Sequence, residues 1–168
     1  MTNQYHSVPE SSPELNYLME SISSFIQATV NSALSLMKNS PHEKLIVDMP
    51  LLNTYSFFKG KKPMAIVGIS EEPIPTTNWR QVAEVLIKDC VNNDSCREYL
   101  MSQRGLISGR NRVIISSEKS TMDVPLEICP NLYFECKFDT EMLLKVMVNR
   151  VLLPAGYDIE NIKIRVGF

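Results

Sequence analysis

Apolar residues recur three and four positions apart near the start of the chain: Leu15, Leu18, Met19, Ile22, Phe25, Ile26, Val30, Ala33, Leu34 and Met37. On an α-helix that spacing makes one wide stripe. Ser12, Pro13 and Glu14 supply its start: a capping hydroxyl, a proline at the first helical position and an acid near the positive end of the dipole. We therefore expect a helix over 13–38, preceded by a loose polar N-terminus over 1–12. The opposite face carries Ser21, Ser23, Ser24, Gln27, Asn31, Ser32 and Ser35, with no charged residue between Glu20 and Lys38. A solvent-bathed helix normally carries Glu–Lys pairs one turn apart. A charge-free serine face suits close packing against another helix. A homodimer through Leu15, Leu18, Ile22, Phe25, Ile26 and Val30 and packing on the chain's own domain both satisfy this pattern.

Pro41, Pro50 and mixed polarity mark residues 39–53 as a linker, and an α+β domain over 54–168 is expected to follow. There the period changes. TYSFF (54–58) and MAIVGI (64–69), joined by the Gly60–Pro63 turn, read as a strand hairpin. A helix over 79–92 starts at Asn78, with Gln81 completing a capping box, and turns Trp79, Val82, Ala83, Val85, Leu86 and Cys90 inward. A second helical piece covers 95–103, and Gly105 and Gly109 bracket a loop. RVIIS (112–116) and LYFECKF (132–138) read as strands. The latter places Leu132, Phe134, Cys136 and Phe138 on one face and Tyr133, Glu135 and Lys137 on the other. Asp139 caps a helix reaching 153, its core stripe Met142, Leu143, Val146, Met147 and Val151, ended by Pro154 and Gly156. IKIRV (162–166) closes the domain, with Ile162, Ile164 and Val166 inside. Strands and helices do not alternate regularly. The expected class is therefore α+β, a long N-terminal helix followed by a mostly antiparallel sheet packed with two or three helices.

Composition narrows the functional classes. An apolar fraction of 44% with 21% charged residues is that of a globular domain able to bury its own core. The formal charge of −2 produces no global field for nucleic acid. Residues 1–60 hold five acids and three bases and residues 61–168 hold fourteen of each, so any basic patch must come from clustering. Cys90, Cys96, Cys129 and Cys136 lack the short spacing of a zinc knuckle. With no export signal at the N-terminus and no run of about 18 apolar residues, we expect reduced thiols, no metal and a cytoplasmic location.

Candidate chemistry is sparse. His6 and His42 fall in segments read as loose or linker, which disfavours histidine-based catalysis. No phosphate-binding glycine loop occurs, and no cofactor is expected. Asp123 with Glu135-Cys136-Lys137 matches the D…E-x-K core of Mg²⁺-dependent nucleases, in which two carboxylates hold the ion and the lysine adjoins the attacking water. The alternating Glu and Lys of a half-solvated strand matches it equally well. Lys59, Lys61 and Lys62 crowd one turn. Arg104, Arg110 and Arg112 lie in an acid-free stretch, 101–117, around a glycine-bearing loop. Guanidinium forks suit phosphate oxygens or acidic side chains, so both clusters are candidate binding residues.

FFKGKKPMAIVGI, NWRQVAEVLIKDC, GLISGRNRVIIS, LYFECKFDTEMLLKVMVNRVLLPAGYD and IKIRV together resemble, over residues 54–168, a group of small proteins of Firmicutes phages and mobile elements. In that setting the chain is similar to anti-CRISPR inhibitors, which block a Cas9-type nuclease by occupying its nucleic-acid channels or sensing its guide complex. The resemblance implies a host nuclease or its nucleic-acid complex as partner and brings no active-site residues. A DNA-binding accessory or regulatory protein is the alternative, and a small Mg²⁺-dependent nuclease on Asp123, Glu135 and Lys137 a third reading.

Overall fold

The computed structural model describes residues 45–52, 55–105 and 112–167. The expected helix over 13–38, with Leu15, Leu18, Ile22, Phe25, Ile26 and Val30, lies outside the described residues, as does Arg110. What is described is an α+β domain with three helices and two antiparallel sheets.

The first sheet has four strands: β1 (Ile46–Pro50), β2 (Lys62–Val67), β3 (Ile74–Pro75) and β7 (Lys163–Gly167), in the order β1-β7-β2-β3. The second has three: β4 (Ile115–Ser116), β5 (Pro125–Cys129) and β6 (Leu132–Glu135), in the order β4-β6-β5. Helix α1 (Trp79–Asn92) touches β2 of one sheet and β5 of the other. That position explains why Ile87 and Val91 are buried beside the anticipated Val82, Ala83, Leu86 and Cys90: a helix covered on two sides buries more than one stripe. Asn78 caps it as the sequence suggests, its Oδ1 accepting from Gln81 N at 2.9 Å. Gln81 Oε1 in turn accepts from Thr77 N at 2.9 Å, one residue earlier than a standard capping box would have it. Helix α2 (Asp94–Ser102) follows at once, capped by Asn93.

Three readings are corrected. The stretch 39–53 is more than a linker, because Ile46–Pro50 pairs residue for residue with β7. Its alternation was masked by Pro50 and by Asp48, which forms a two-point ion pair with Arg165 at 2.7 and 2.9 Å. Tyr55–Phe58 is a 3-10 turn, so β2 pairs with β7 and β3 instead of with that stretch. Its aromatic run serves to insert Phe58 into the core, where it is fully buried and meets Trp79 edge-on at 5.4 Å. Finally, α3 (Thr140–Val146), capped by Asp139, runs into a π-helical segment, Met147–Leu152, in which Leu153 N reaches back to Val148 O at 3.0 Å. Met142 is 44% exposed, while Leu144, Val148 and Leu152 are buried. The helix is covered by both α1 and the 3-10 turn, so its apolar face is wider than the expected stripe.

Candidate functional site

Of the three arginines expected to grip an anion, the two described ones, Arg104 and Arg112, are tied into the fold. Arg104 donates from Nε to Met101 O at 2.8 Å and from Nη1 to Asn131 O at 3.1 Å, closing the end of α2 onto the β5–β6 turn. Arg112 donates to Lys137 O, lies 5.3 Å from the Phe138 ring centre and faces Asp123 Oδ2 at 3.7 Å. Arg104 thus gives two of its five N–H donors, and Arg112 one, to backbone carbonyls, which fixes both guanidinium groups against the chain.

Asp123, Glu135 and Lys137 do come together, in an arrangement different from the one the alternating pattern implied. Glu135 is 0% exposed. Its Oε2 accepts from Asp123 N at 2.7 Å, and its Oε1 accepts from Val124 N at 3.0 Å and Lys137 N at 2.7 Å. Strand β6 ends at this residue, so the expected solvent face over 133–137 does not continue. A buried carboxylate is tolerable because three otherwise orphaned N–H groups converge on it. Asp123 is exposed and pairs with Lys137 Nζ at 3.3 Å. Here one acid anchors a loop by its backbone and the other balances two cations. Among the described residues no group of three or more His, Cys, Asp and Glu side chains is placed to hold a metal ion.

Three of the four thiols are also poorly suited to attack. Burial, with Cys96 and Asp89 nearby, pushes the Cys90 thiol up to about 12. Burial pushes Cys136 up to about 11, and Cys129 is raised for the same reason. Since the thiolate is the nucleophile, iodoacetamide at neutral pH is expected to leave Cys90 and Cys136 unmodified in the folded protein and to label both in denaturant. Peptide mass spectrometry reads this directly, and fast labelling in the fold would contradict the burial of Cys90 or the raised thiol of the half-buried Cys136.

The lysine turn differs. Gly60 adopts φ +74° and turns the chain between Phe58 and β2. Trp79 Nε1 donates to Lys61 O at 2.8 Å, pinning the turn to the start of α1. Lys61 folds back, its Nζ 4.1 Å from the Phe57 ring centre. Lys59 and Lys62 are exposed and have no ion-pair partner among the described residues. Beside Lys62 lies an open pocket of about 630 Å³, lined by Gly60, Lys62, Pro63, Met64, Pro75, Thr76, Thr77 and Gly167. Thr76 is 3% exposed, its N–H donates to Met64 O at 2.9 Å, and its hydroxyl has no partner among the described residues. Met64 is the extra residue of a bulge: the β2–β7 register shifts between Pro63 and Ala65, and its side chain is 41% exposed.

The sequence pointed to the lysines but not to the pocket. Its walls come from β2, the end of β3 and the last strand, and no periodic pattern links these segments. The only local signal was a glycine- and proline-rich turn, Gly60 to Pro63, which marks a bend without saying what closes over it. Among the described residues no helix is long and apolar enough to cross a membrane. The chain matches no family model, no curated protein and no solved structure.

Proposed function

We propose that this chain is a non-enzymatic binding protein of a phage or mobile element, acting in the cytoplasm as an inhibitor of a host DNA-targeting nuclease of the Cas9 type. One observation carries the binding part of this reading. Arg104, Arg112 and Glu135 are tied into the fold, whereas Lys59 and Lys62 have no ion-pair partner among the described residues and Lys62 lines an open pocket. That division suits recognition rather than bond-breaking, which needs an acid, base or nucleophile held free at a cleft. The resemblance over residues 54–168 supports the choice of partner.

The test is a reconstituted cleavage assay containing nuclease, guide and target DNA. Stoichiometric protein is expected to abolish cleavage and to co-elute with the nuclease on size exclusion. Full cleavage at large excess, with no co-elution, overturns the assignment for that nuclease. The same free lysines favour a second reading, a DNA-binding accessory protein. It requires retention of duplex DNA by the protein alone that weakens steeply with salt and falls further in a Lys59→Ala/Lys62→Ala variant.

A further inference from the structure

We infer that the pocket beside Lys62 is a docking site for a segment of a partner protein bearing one apolar anchor residue flanked by aspartate or glutamate. This rests on the reading of the chain as a binding protein and is independent of which nuclease, if any, it inhibits.

The walls decide the anchor. Pro63, Met64 and Pro75 make the pocket predominantly apolar, and the bulge at Met64 holds a flexible thioether at its rim. Methionine adapts to differently shaped apolar partners. Gly167 keeps the wall low: a Cβ there would lie 3.4 Å from Met64 Sδ. An exposed apolar depression next to a cation is suited to an aliphatic or aromatic side chain.

Charge decides the flanks. No acidic residue lines the pocket, Lys62 does, and Lys59 lies one residue beyond Gly60 of its wall. Neither ammonium is neutralised among the described residues, so a carboxylate arriving beside the anchor meets an unpaired cation.

The neighbouring edge decides the mode of binding. Strand β3 lies at the edge of its sheet, but Pro73 and Pro75 remove N–H donors there. A ligand cannot be held by a full ladder of main-chain hydrogen bonds, so recognition falls to side chains. Thr76 adds a polar point, a buried hydroxyl that a small rotation could offer to a ligand carbonyl. Nucleic acid fits less well. A phosphodiester backbone is gripped by several cations tracking it, whereas this pocket offers Lys62 against three apolar walls.

The experiment titrates ¹⁵N-labelled full-length protein with a library of synthetic decapeptides. Each carries one Leu, Ile, Met or Phe flanked by Asp or Glu, and controls carry Lys in the flanking positions. A short DNA duplex forms a separate arm. Acidic peptides are expected to shift the amide resonances of Lys62, Met64, Thr76, Thr77 and Gly167. Affinity is expected to fall at least tenfold in Lys62→Glu and to be kept within about threefold in Lys62→Arg, a span set by one charge-assisted contact. An unchanged spectrum of Lys62→Glu away from the pocket shows that the fold is retained. The proposal is overturned if no acidic peptide shifts these resonances, if the lysine controls do so equally, or if only the duplex does. Failed nuclease inhibition with peptide docking intact would sink the assignment of the partner alone. Inhibition without docking, insensitive to Lys62→Glu, would sink the pocket alone.

Discussion

Glu135→Ala is expected to lower the unfolding free energy by about 3–5 kcal/mol, the range for stranding several buried donors at once. The substitution removes an acceptor for Asp123 N, Val124 N and Lys137 N and opens a cavity at a site with no solvent access. Glu135→Gln separates the two effects. Its amide oxygen can still accept from Val124 N and Lys137 N, but its NH₂ then confronts the Asp123 N–H, donor against donor. An intermediate loss of about 1–3 kcal/mol follows. Urea denaturation monitored by circular dichroism measures both. If Glu135→Ala unfolds within about 0.5 kcal/mol of the parent, a span typical of uninvolved surface positions, the carboxylate does not hold this loop. The same geometry governs how an activity assay on these residues must be read. Loss of any activity in Glu135→Ala would reflect loss of structure, so Lys137→Ala, at an exposed side chain, is the informative substitution for the D…E-x-K pattern.

Gly68→Ala carries the second large effect. Gly68 sits just beyond β2 at φ +100°, a backbone conformation costly for a residue with a Cβ. A Cβ there would also lie 2.4 Å from Asn161 O and 3.0 Å from Asn161 C, both backbone atoms of the segment leading into β7. Neither side can yield by rotating a side chain, so β2 and β7 must separate where they pair from Ile66↔Ile164 to Val67↔Lys163. A loss of about 3 kcal/mol or more is expected from strain and steric overlap together. Gly60→Ala is the control: φ is +74° but nothing lies within 4 Å of the added carbon. Its cost should be limited to the left-handed penalty of about 1 kcal/mol. Equal losses at the two positions would mean that the contact with Asn161 is relieved by a backbone shift.

Local signals were legible wherever one short segment contains its own instruction. Asn78 and Asp139 cap helices because a side-chain oxygen finds an N–H three residues on, a relation written within one turn. Ile162, Ile164 and Val166 point inward because strand alternation needs no partner to be seen. The lysine turn was visible as a cluster around Gly60. Its role relative to the arginines was not. As letters the cations were equivalent, and only the positions of the carbonyls of Met101, Asn131 and Lys137 separate the tied Arg104 and Arg112 from Lys59 and Lys62, which have no ion-pair partner among the described residues.

The sequence by itself therefore determined the α+β class of the described domain, its helix starts and its closing strand. Those properties follow from rotation per residue and from hydrogen bonds closed within a few positions. Tertiary structure alone decided that Glu135 is a buried anchor, that 46–50 is a strand against β7, and that Lys62, Thr76 and Gly167 share one pocket. Each depends on groups far apart in the chain meeting in space. A carboxylate or an ammonium acquires its role from the donors, acceptors and solvent around it, and one-dimensional spacing does not encode those neighbours.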